Sequence, residues 1–288
     1  MAAFALPALY ALFVWWFSTG LIIWLDSLPQ RTFRWSMLGG TAVFAASLWG
    51  LAASGADATE TGAYVAFTCA VLAWGWQEMS FFMGYLTGPR KVACPHGCGG
   101  WTHFRHGVEA CLHHELAIIA TAAAVVALTW DAPNQVGAWT FLLLWAMRQS
   151  AKLNFFLGVL NLSEEFVPRH LAYLGSFIAR KPMNLLFPVS VTAGTVVLTV
   201  LAQRAAVPGV GGFEAAGLAF LITMLALAVL EHWFLVLPLP FARLWSWVLQ
   251  LRRPGGTAPA AHAHTHVHRA ADPAARAVPC LQEQNAAS

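Results

Sequence analysis

Long runs of apolar residues with few charges dominate the chain as far as residue 238. Seven such runs lie at 4–25, 35–54, 62–88, 109–130, 136–159, 184–204 and 214–238. A helix of about 20 residues crosses a hydrocarbon core of roughly 30 Å, so each run is long enough to span a bilayer. The pattern therefore predicts an all-α, polytopic transmembrane helix bundle of about seven spans.

The basic residues outside these runs fall in alternate connections. Thirteen of them lie in the first, third and fifth connections or after the seventh run, and one, Arg204, lies in an even-numbered connection. Translocated loops are poor in Lys and Arg. The distribution predicts that the N-terminus lies outside and the C-terminus in the cytoplasm.

The composition agrees with lipid surroundings. Hydrophobic residues make up 58% and charged residues 10% of the 288 positions, whereas about a quarter of the residues in a soluble domain are charged. This balance excludes an ordinary soluble domain, and a net charge of +3 gives no support for nucleic-acid binding. We predict a bundle with cytoplasmic interfacial segments over 1–253 and a disordered, His-rich cytoplasmic tail over 254–288.

Residues 241–253 are predicted to lie on the cytoplasmic face as an amphipathic segment. Its Trp and Leu side chains would face lipid, and its Arg side chains would face anionic headgroups.

Several ionisable or polar residues inside the predicted spans fall at one depth, in the cytoplasmic half. Such residues are costly in lipid and usually have partners or a functional role. We call this set the polar layer; its members are Glu78, His114, Glu115, Arg148, Lys152, Asn154, Glu231 and His232. These residues are the predicted ligand-binding site, and none is assigned a catalytic role.

The residue types of the polar layer leave three interpretations open. The carboxylates and the two cations could form structural ion pairs that fix the helix register. Glu and His from several helices could instead hold divalent metals, although His114-Glu115 and Glu231-His232 are adjacent pairs, unlike the Glu-x-x-His spacing of paired-metal bundles. A neutral His could also ligate the central metal of a tetrapyrrole in a cleft walled by aromatic residues.

The third connection carries a Cys and His motif. Cys94, Cys98, His103 and His106 follow the spacing C-x3-C-x4-H-x2-H, near but not identical to common zinc-finger spacings. The motif is compatible with a tetrahedral zinc site or with reduced thiols in a loop. Alternate His residues at 262–268 could hold metals loosely, although such a segment is also typical of low-complexity sequence.

The fifth connection contains a second group of charged residues. Glu164, Glu165 and His170 are predicted to be a solvated, charged start of a short interfacial helix.

Six stretches then identify a family. They read FVWWFSTGLIIWLDSLPQRTFRWSM, AWGWQEMSFFMGYLTGPR, HHELAIIATAAAVVALTW, APNQVGAWTFLLLWAMRQSAKLNFFLGVLNLSEEFVPRHL, RKPMNLLFPVSVTAGT and ALAVLEHWFLVLPLPFARLW. They resemble the photosynthetic complex assembly protein 2 family, polytopic inner-membrane proteins encoded among the photosynthesis genes of purple phototrophic bacteria. The resemblance covers residues 4 to 247.

The resemblance implies a protein of the bacterial inner (intracytoplasmic) membrane that helps to build the reaction centre and light-harvesting complexes. It would bind subunits of these complexes or bacteriochlorophyll, or modulate bacteriochlorophyll supply. The alternative is a membrane metalloenzyme acting on a tetrapyrrole intermediate, and the cofactor candidates are accordingly bacteriochlorophyll and a divalent metal. A transporter ranks last because the outer halves of the spans hold almost no ionisable residue.

Overall fold

A computed structural model describes residues 2–95, 97–161, 167–237 and 241–250. Its long helices are α1 (Ala2–Ser27), α2 (Phe33–Ser54), α3 (Glu60–Phe82), α4 (Gly100–Leu128), α5 (Val136–Leu157), α6 (Leu186–Ala205) and α7 (Gly212–Val236). Turns of 3-10 helix lie at Gln30–Thr32, Arg169–Phe177 and Phe241–Trp245, the last followed by α8 (Ser246–Leu249). The described residues contain no β-sheet, so the all-α prediction is confirmed. The predicted tail at 254–288, Glu164 and Glu165 lie outside the described residues.

Within the described ranges, five segments are long and apolar enough to cross a membrane. They are Ala3–Ser27, Gln30–Ser54, Gly100–Leu128, Leu186–Ala205 and Gly212–Val236. Helices α3 and α5 also lie at predicted spans but fall outside this set. They are the helices that carry Glu78 and Arg148.

The surface and the core of the bundle fit lipid surroundings. Large apolar side chains such as Phe13 on α1 and Val196 on α6 are exposed, as expected for helices that contact acyl chains. Inside the bundle, the rings of Phe67 on α3 and Phe220 on α7 stack with centroids 4.3 Å apart. The fold is therefore that of a multi-pass membrane protein.

The connections meet at two opposite ends of the bundle. At one end, the first, third and fifth connections line a cavity of about 260 Å³ and contribute, among others, Gln30, Tyr85 and His170. At the other end, the amide nitrogen of Asn134 in the fourth connection donates to the carbonyl oxygens of Ser54 and Asp57, 3.1 Å away in each case. Successive helices thus alternate in direction, and the connections rich in Lys and Arg share one end.

Two helices have bounds that differ from the apolar runs. Helix α4 begins at Gly100 rather than 109, so it is about 14 Å longer than the apolar run. The run missed residues 100–108 because they are polar, although they are helical. Helix α3 ends at Phe82 rather than 88. Gly84, at φ +82°, reverses the chain there, and the backbone N–H of Tyr85 donates to the carbonyl oxygen of Ser80.

The C-terminal segment also departs from its prediction. Trp245 is 1% exposed and packs on α1 instead of facing lipid. Its indole N–H donates to the carbonyl oxygen of Trp16 at 3.1 Å, and its ring contacts Trp15 edge to face. The prediction was wrong at Trp245 because α1 offers an aromatic surface together with an acceptor for the indole N–H.

The third connection lies directly against the backbone of α4, and this contact yields a prediction. A Cβ on Gly88 would lie 2.0 Å from the carbonyl oxygen of Glu109 and 2.6 Å from the carbonyl carbon of Ala110. Because backbone cannot yield as a flexible side chain does, we expect Gly88→Ala to lower the free energy of unfolding by about 1–3 kcal/mol. Thermal unfolding in detergent measures this.

Gly99→Ala is the matched control, because a Cβ there would meet nothing within 4 Å. Equal unfolding temperatures for the two variants would show that the connection is not held against α4.

Candidate functional site

Two ion pairs form the centre of the polar layer. A guanidinium nitrogen (Nη2) of Arg148 on α5 lies 2.8 Å from Oε2 of Glu78 on α3. The ammonium group of Lys152 on α5 pairs with Glu115 on α4, and the side-chain amide of Gln149 donates to the same carboxylate. Helix α5 therefore supplies both cations, and the structure contains ion pairs, which were one of the three interpretations left open by the sequence.

These ion pairs are only partly covered by protein. The side chains of Arg148 and Glu78 are 29% and 12% exposed, and those of Lys152 and Glu115 are 22% and 21% exposed. Part of each charged side chain therefore lies on the surface of the bundle.

Glu231 on α7 extends the layer toward α1. Its Oε1 accepts a hydrogen bond from the indole N–H of Trp15 at 3.2 Å. Its carboxyl group also interacts electrostatically with Arg148 and Glu78. Arg148 therefore lies near two carboxylates from different helices.

His232, the neighbour of Glu231, has both ring nitrogens engaged. Nδ1 lies 2.8 Å from the carbonyl oxygen of Ala228, which can only accept, so Nδ1 is the donor. In the neutral ring, Nε2 then accepts from the hydroxyl of Ser150 on α5, 2.9 Å away. These bonds give His232 a packing role between α5 and α7.

Asn154 ties α5 to α6. Its amide nitrogen donates to the hydroxyl of Ser190 at 3.1 Å and to the carbonyl oxygen of Ser150 at 2.9 Å. The side chain of Asn184 in turn donates to the backbone carbonyl oxygen of Asn154 at 3.2 Å. Asn154 is fully buried, so in this structure it fixes helix positions.

His114 differs from every other member of the layer. It is 0% exposed, and neither ring nitrogen has a hydrogen-bond partner among the described residues. Its ring lies against Phe81, with centroids 4.6 Å apart. Buried polar atoms are nearly always hydrogen-bonded, and each exception calls for an explanation.

The described residues of the polar layer do not converge as metal ligands, and the cavity at the end of the bundle is small for a pigment. Among the described residues, the His, Cys, Asp or Glu side chains that converge closely enough to share a metal are Cys94, Cys98 and His106, outside the polar layer. The carboxylates of Glu78 and Glu115 contact cations instead. The 260 Å³ cavity at the end of the bundle lies below the 300–1,000 Å³ usual for ligand pockets.

His170 is not the solvated residue that was predicted. Its Nε2 donates to the carbonyl oxygen of Phe82 at 2.9 Å, and its ring meets Phe33 edge to face at 6.0 Å. The free carbonyl groups at the end of α3 provide the acceptor, so His170 anchors the fifth connection to α3.

Sequence reasoning missed several partners of the polar layer, among them Gln149 and Trp15. Gln149 stands beside Arg148 within an apolar run, so its polarity was a usable signal. Trp15 gave none, because a Trp in an apolar run is as compatible with lipid contact as with hydrogen bonding. Its role depends on how α1 is rotated toward α7.

The fold and this polar layer define a multi-pass helical membrane protein with a charged cluster inside its bundle. The chain belongs to the family described as "Protein of unknown function (DUF3623)", which matches residues 1–255. It is 40% identical over 248 residues to "Uncharacterized 30.4 kDa protein in puhA 5'region" of Rhodobacter capsulatus, covering 85% of this chain and 90% of that protein. No solved structure matches the chain.

Proposed function

We propose that this protein is an integral membrane assembly factor for the reaction centre and light-harvesting complexes of a phototrophic bacterium. It binds transmembrane helices of their nascent subunits at the polar layer and takes part in delivering bacteriochlorophyll to them. The observation that carries the proposal is the partial exposure of both ion pairs, Glu78 with Arg148 and Glu115 with Lys152.

Charged groups exposed at the depth of the bilayer core are costly unless a polar partner covers them. Even on insertion scales, the cost is about 2.5–3.5 kcal/mol for one Arg, Lys or Asp at a helix centre. Pairing removes part of this cost, and a polar side chain from another transmembrane helix would remove more. A surface of this kind is suited to holding a helix that is later released into a complex.

The biological setting supports photosynthetic subunits as the partners. A relative that matches most of the chain lies in a photosynthesis gene region. The gene region of a relative does not name a chemical step, but it indicates which membrane proteins a helix-binding protein of this family would meet. The resemblance to assembly proteins of purple bacteria points the same way.

The same proposal includes the membrane topology. Helices α3 and α5 cross the bilayer together with the five more apolar segments, because neighbouring helices shield their polar residues. The end of the bundle that carries the basic connections then faces the cytoplasm, which places the N-terminus outside and the protein in the inner membrane.

His114 is the pigment-ligating candidate within the layer. Its ring nitrogens are both unengaged among the described residues, and a neutral imidazole is a common metal ligand. Because the ring is covered by Phe81, a pigment would reach it only when α3 and α4 separate locally. His232 is unsuited to this role, since both of its nitrogens already have partners.

The test is complementation of a phototrophic host that lacks the gene. The double variant Glu115→Gln, Lys152→Met removes one ion pair without leaving a buried unpaired charge. We expect this variant to accumulate in the membrane yet to restore less than about one tenth of the absorption of assembled complexes. It should also no longer co-purify with reaction-centre subunits.

The matched control is Arg204→Gln, Glu214→Gln, which removes an exposed pair at the far end of the bundle and should complement fully. Equal complementation by both double variants would contradict helix binding at the polar layer. Accumulation of one defined tetrapyrrole precursor in the null strain would instead favour the metalloenzyme alternative.

A further inference from the structure

The Cys and His residues of the third connection converge at the start of α4. The thiol sulphur of Cys94 lies 3.2 Å from Nδ1 of His103 and 3.5 Å from Nδ1 of His106. The sulphur of Cys98 lies 3.4 Å from the same nitrogen of His106. The ligand atoms of Cys94, Cys98 and His106 all lie within 4.8 Å of one another.

These distances match the edges of a zinc tetrahedron. Zinc binds thiolate sulphur at about 2.3 Å and imidazole nitrogen at about 2.0–2.1 Å, so a tetrahedral angle separates sulphur from nitrogen by about 3.6 Å. The three observed sulphur-to-nitrogen distances of 3.2–3.5 Å lie close to that value. These are three of the six edges of a tetrahedron, and the ligand atoms that already share one position are those of Cys94, Cys98 and His106. We infer that these three residues bind zinc and that His103, which contacts the sulphur of Cys94, moves in to complete a tetrahedral site.

The local sequence explains how the four residues, spread between Cys94 and His106, come together. The backbone N–H of Cys98 donates to the carbonyl oxygen of Pro95 at 3.1 Å, closing a turn through Gly97 at φ +79°. This turn brings Cys98 back beside Cys94. His103 and His106 then follow at i and i+3 in the first turns of α4, which places them on one helix face.

The surroundings hold the ligands in place. The ring of His103 stacks on Phe156 of α5 at 5.2 Å and lies 5.9 Å from Phe177 of the fifth connection. The backbone N–H of Cys94 donates to the hydroxyl of Ser176 at 2.8 Å. Zinc bound here would lock the third connection to α4, α5 and the fifth connection.

The donor set indicates both the metal and its role. Two thiolates and two imidazoles suit zinc better than magnesium or calcium, which prefer oxygen ligands. Four protein ligands fill the tetrahedron and leave no position for substrate, which is typical of structural rather than catalytic zinc. The site is separate from the polar layer, so the inference does not depend on the proposed function.

Metal analysis of the full-length protein in detergent tests the site. We expect about one zinc per chain in the wild type and less than about a tenth of that in Cys94→Ser and Cys98→Ser. The apparent affinity of His103→Ala should fall by more than about 100-fold, because loss of a second-shell partner alone costs 10–100-fold. Cys111→Ser, five residues beyond His106 on the same helix, is the control and should keep its zinc.

A spectroscopic readout separates this site from the His residues at 262–268. Cobalt substituted for zinc should give a sulphur-to-metal charge-transfer band in the wild type and in a variant with those His residues changed to Ala. A wild-type protein that stays metal-free after incubation with zinc, or that carries a Cys94–Cys98 disulfide, would overturn the inference. So would full zinc retention in Cys94→Ser, and the wild-type spectrum decides the matter even if the variants fail to fold.

Discussion

Arg148→Met is expected to lower the free energy of unfolding by about 2–3 kcal/mol, because it leaves a partly buried carboxylate without its partner. Glu78 would lose the guanidinium that lies 2.8 Å from its carboxylate. Arg148→Met therefore leaves the Glu78 carboxylate without its ion-pair partner, and unfolding in mixed detergent micelles measures the loss.

A double variant isolates the pair itself. In Glu78→Gln, Arg148→Met the uncompensated charge at position 78 is gone, so we expect at least half of the lost stability to return. Arg204→Gln serves as the surface control, because Arg204 and Glu214 are largely exposed and such pairs contribute about 0–1 kcal/mol. If Arg148→Met cost no more than Arg204→Gln, the polar layer would be open to water rather than shielded.

The positions of the helices could be predicted because lipid imposes a length on apolar runs. Helix α6, predicted at 184–204, is observed at Leu186–Ala205. The same rule misses a part of a helix that is polar. Residues 100–108 of α4 contain Trp101, His103 and Arg105, so an apolar-run criterion discards them although their backbone is helical.

The depth of the candidate site could also be predicted, but the partners could not. Counting residues along each predicted span gives the depth of a side chain in the membrane, and this count placed Glu78, Glu115 and Arg148 at one depth. Choosing between Glu78 and Glu115 as the partner of Arg148 requires the rotation of each helix about its axis. That rotation depends on packing against neighbouring helices. A helix with polar residues on several faces does not show in its sequence which face contacts which neighbour.

The Cys and His motif illustrates a different limit. Its spacing departs from common zinc-finger patterns, so spacing alone favoured zinc only weakly. Convergence depends on the turn at Gly97 and on α4 beginning before His103. Both features depend on the path of the third connection across α4. The number and spacing of the Cys and His residues do not reveal that path.

His114→Leu is expected to separate stability from function. The imidazole is buried with two nitrogens that lack hydrogen-bond partners among the described residues, and leaving a buried polar group unsatisfied costs about 1–3 kcal/mol. Leu has a similar size and no polar atom, so we expect the free energy of unfolding of the variant to be about 1 kcal/mol higher than that of the wild type. If His114 ligates pigment, the more stable protein should nevertheless fail to restore assembled complexes.

His232→Leu is the matched control, because His232 is a second buried histidine of the polar layer. Because His232 is bonded to Ser150 and Ala228, its loss should destabilise the protein by about 1 kcal/mol. Destabilisation by both variants would mean that His114 has a partner that stabilises the native protein. A stabilised His114→Leu with full complementation would remove His114 from the site and leave the ion pairs of α5 as its basis. If His114→Leu is more stable than the wild type and yet fails to complement, a ligand that His114 meets only during assembly would explain both results.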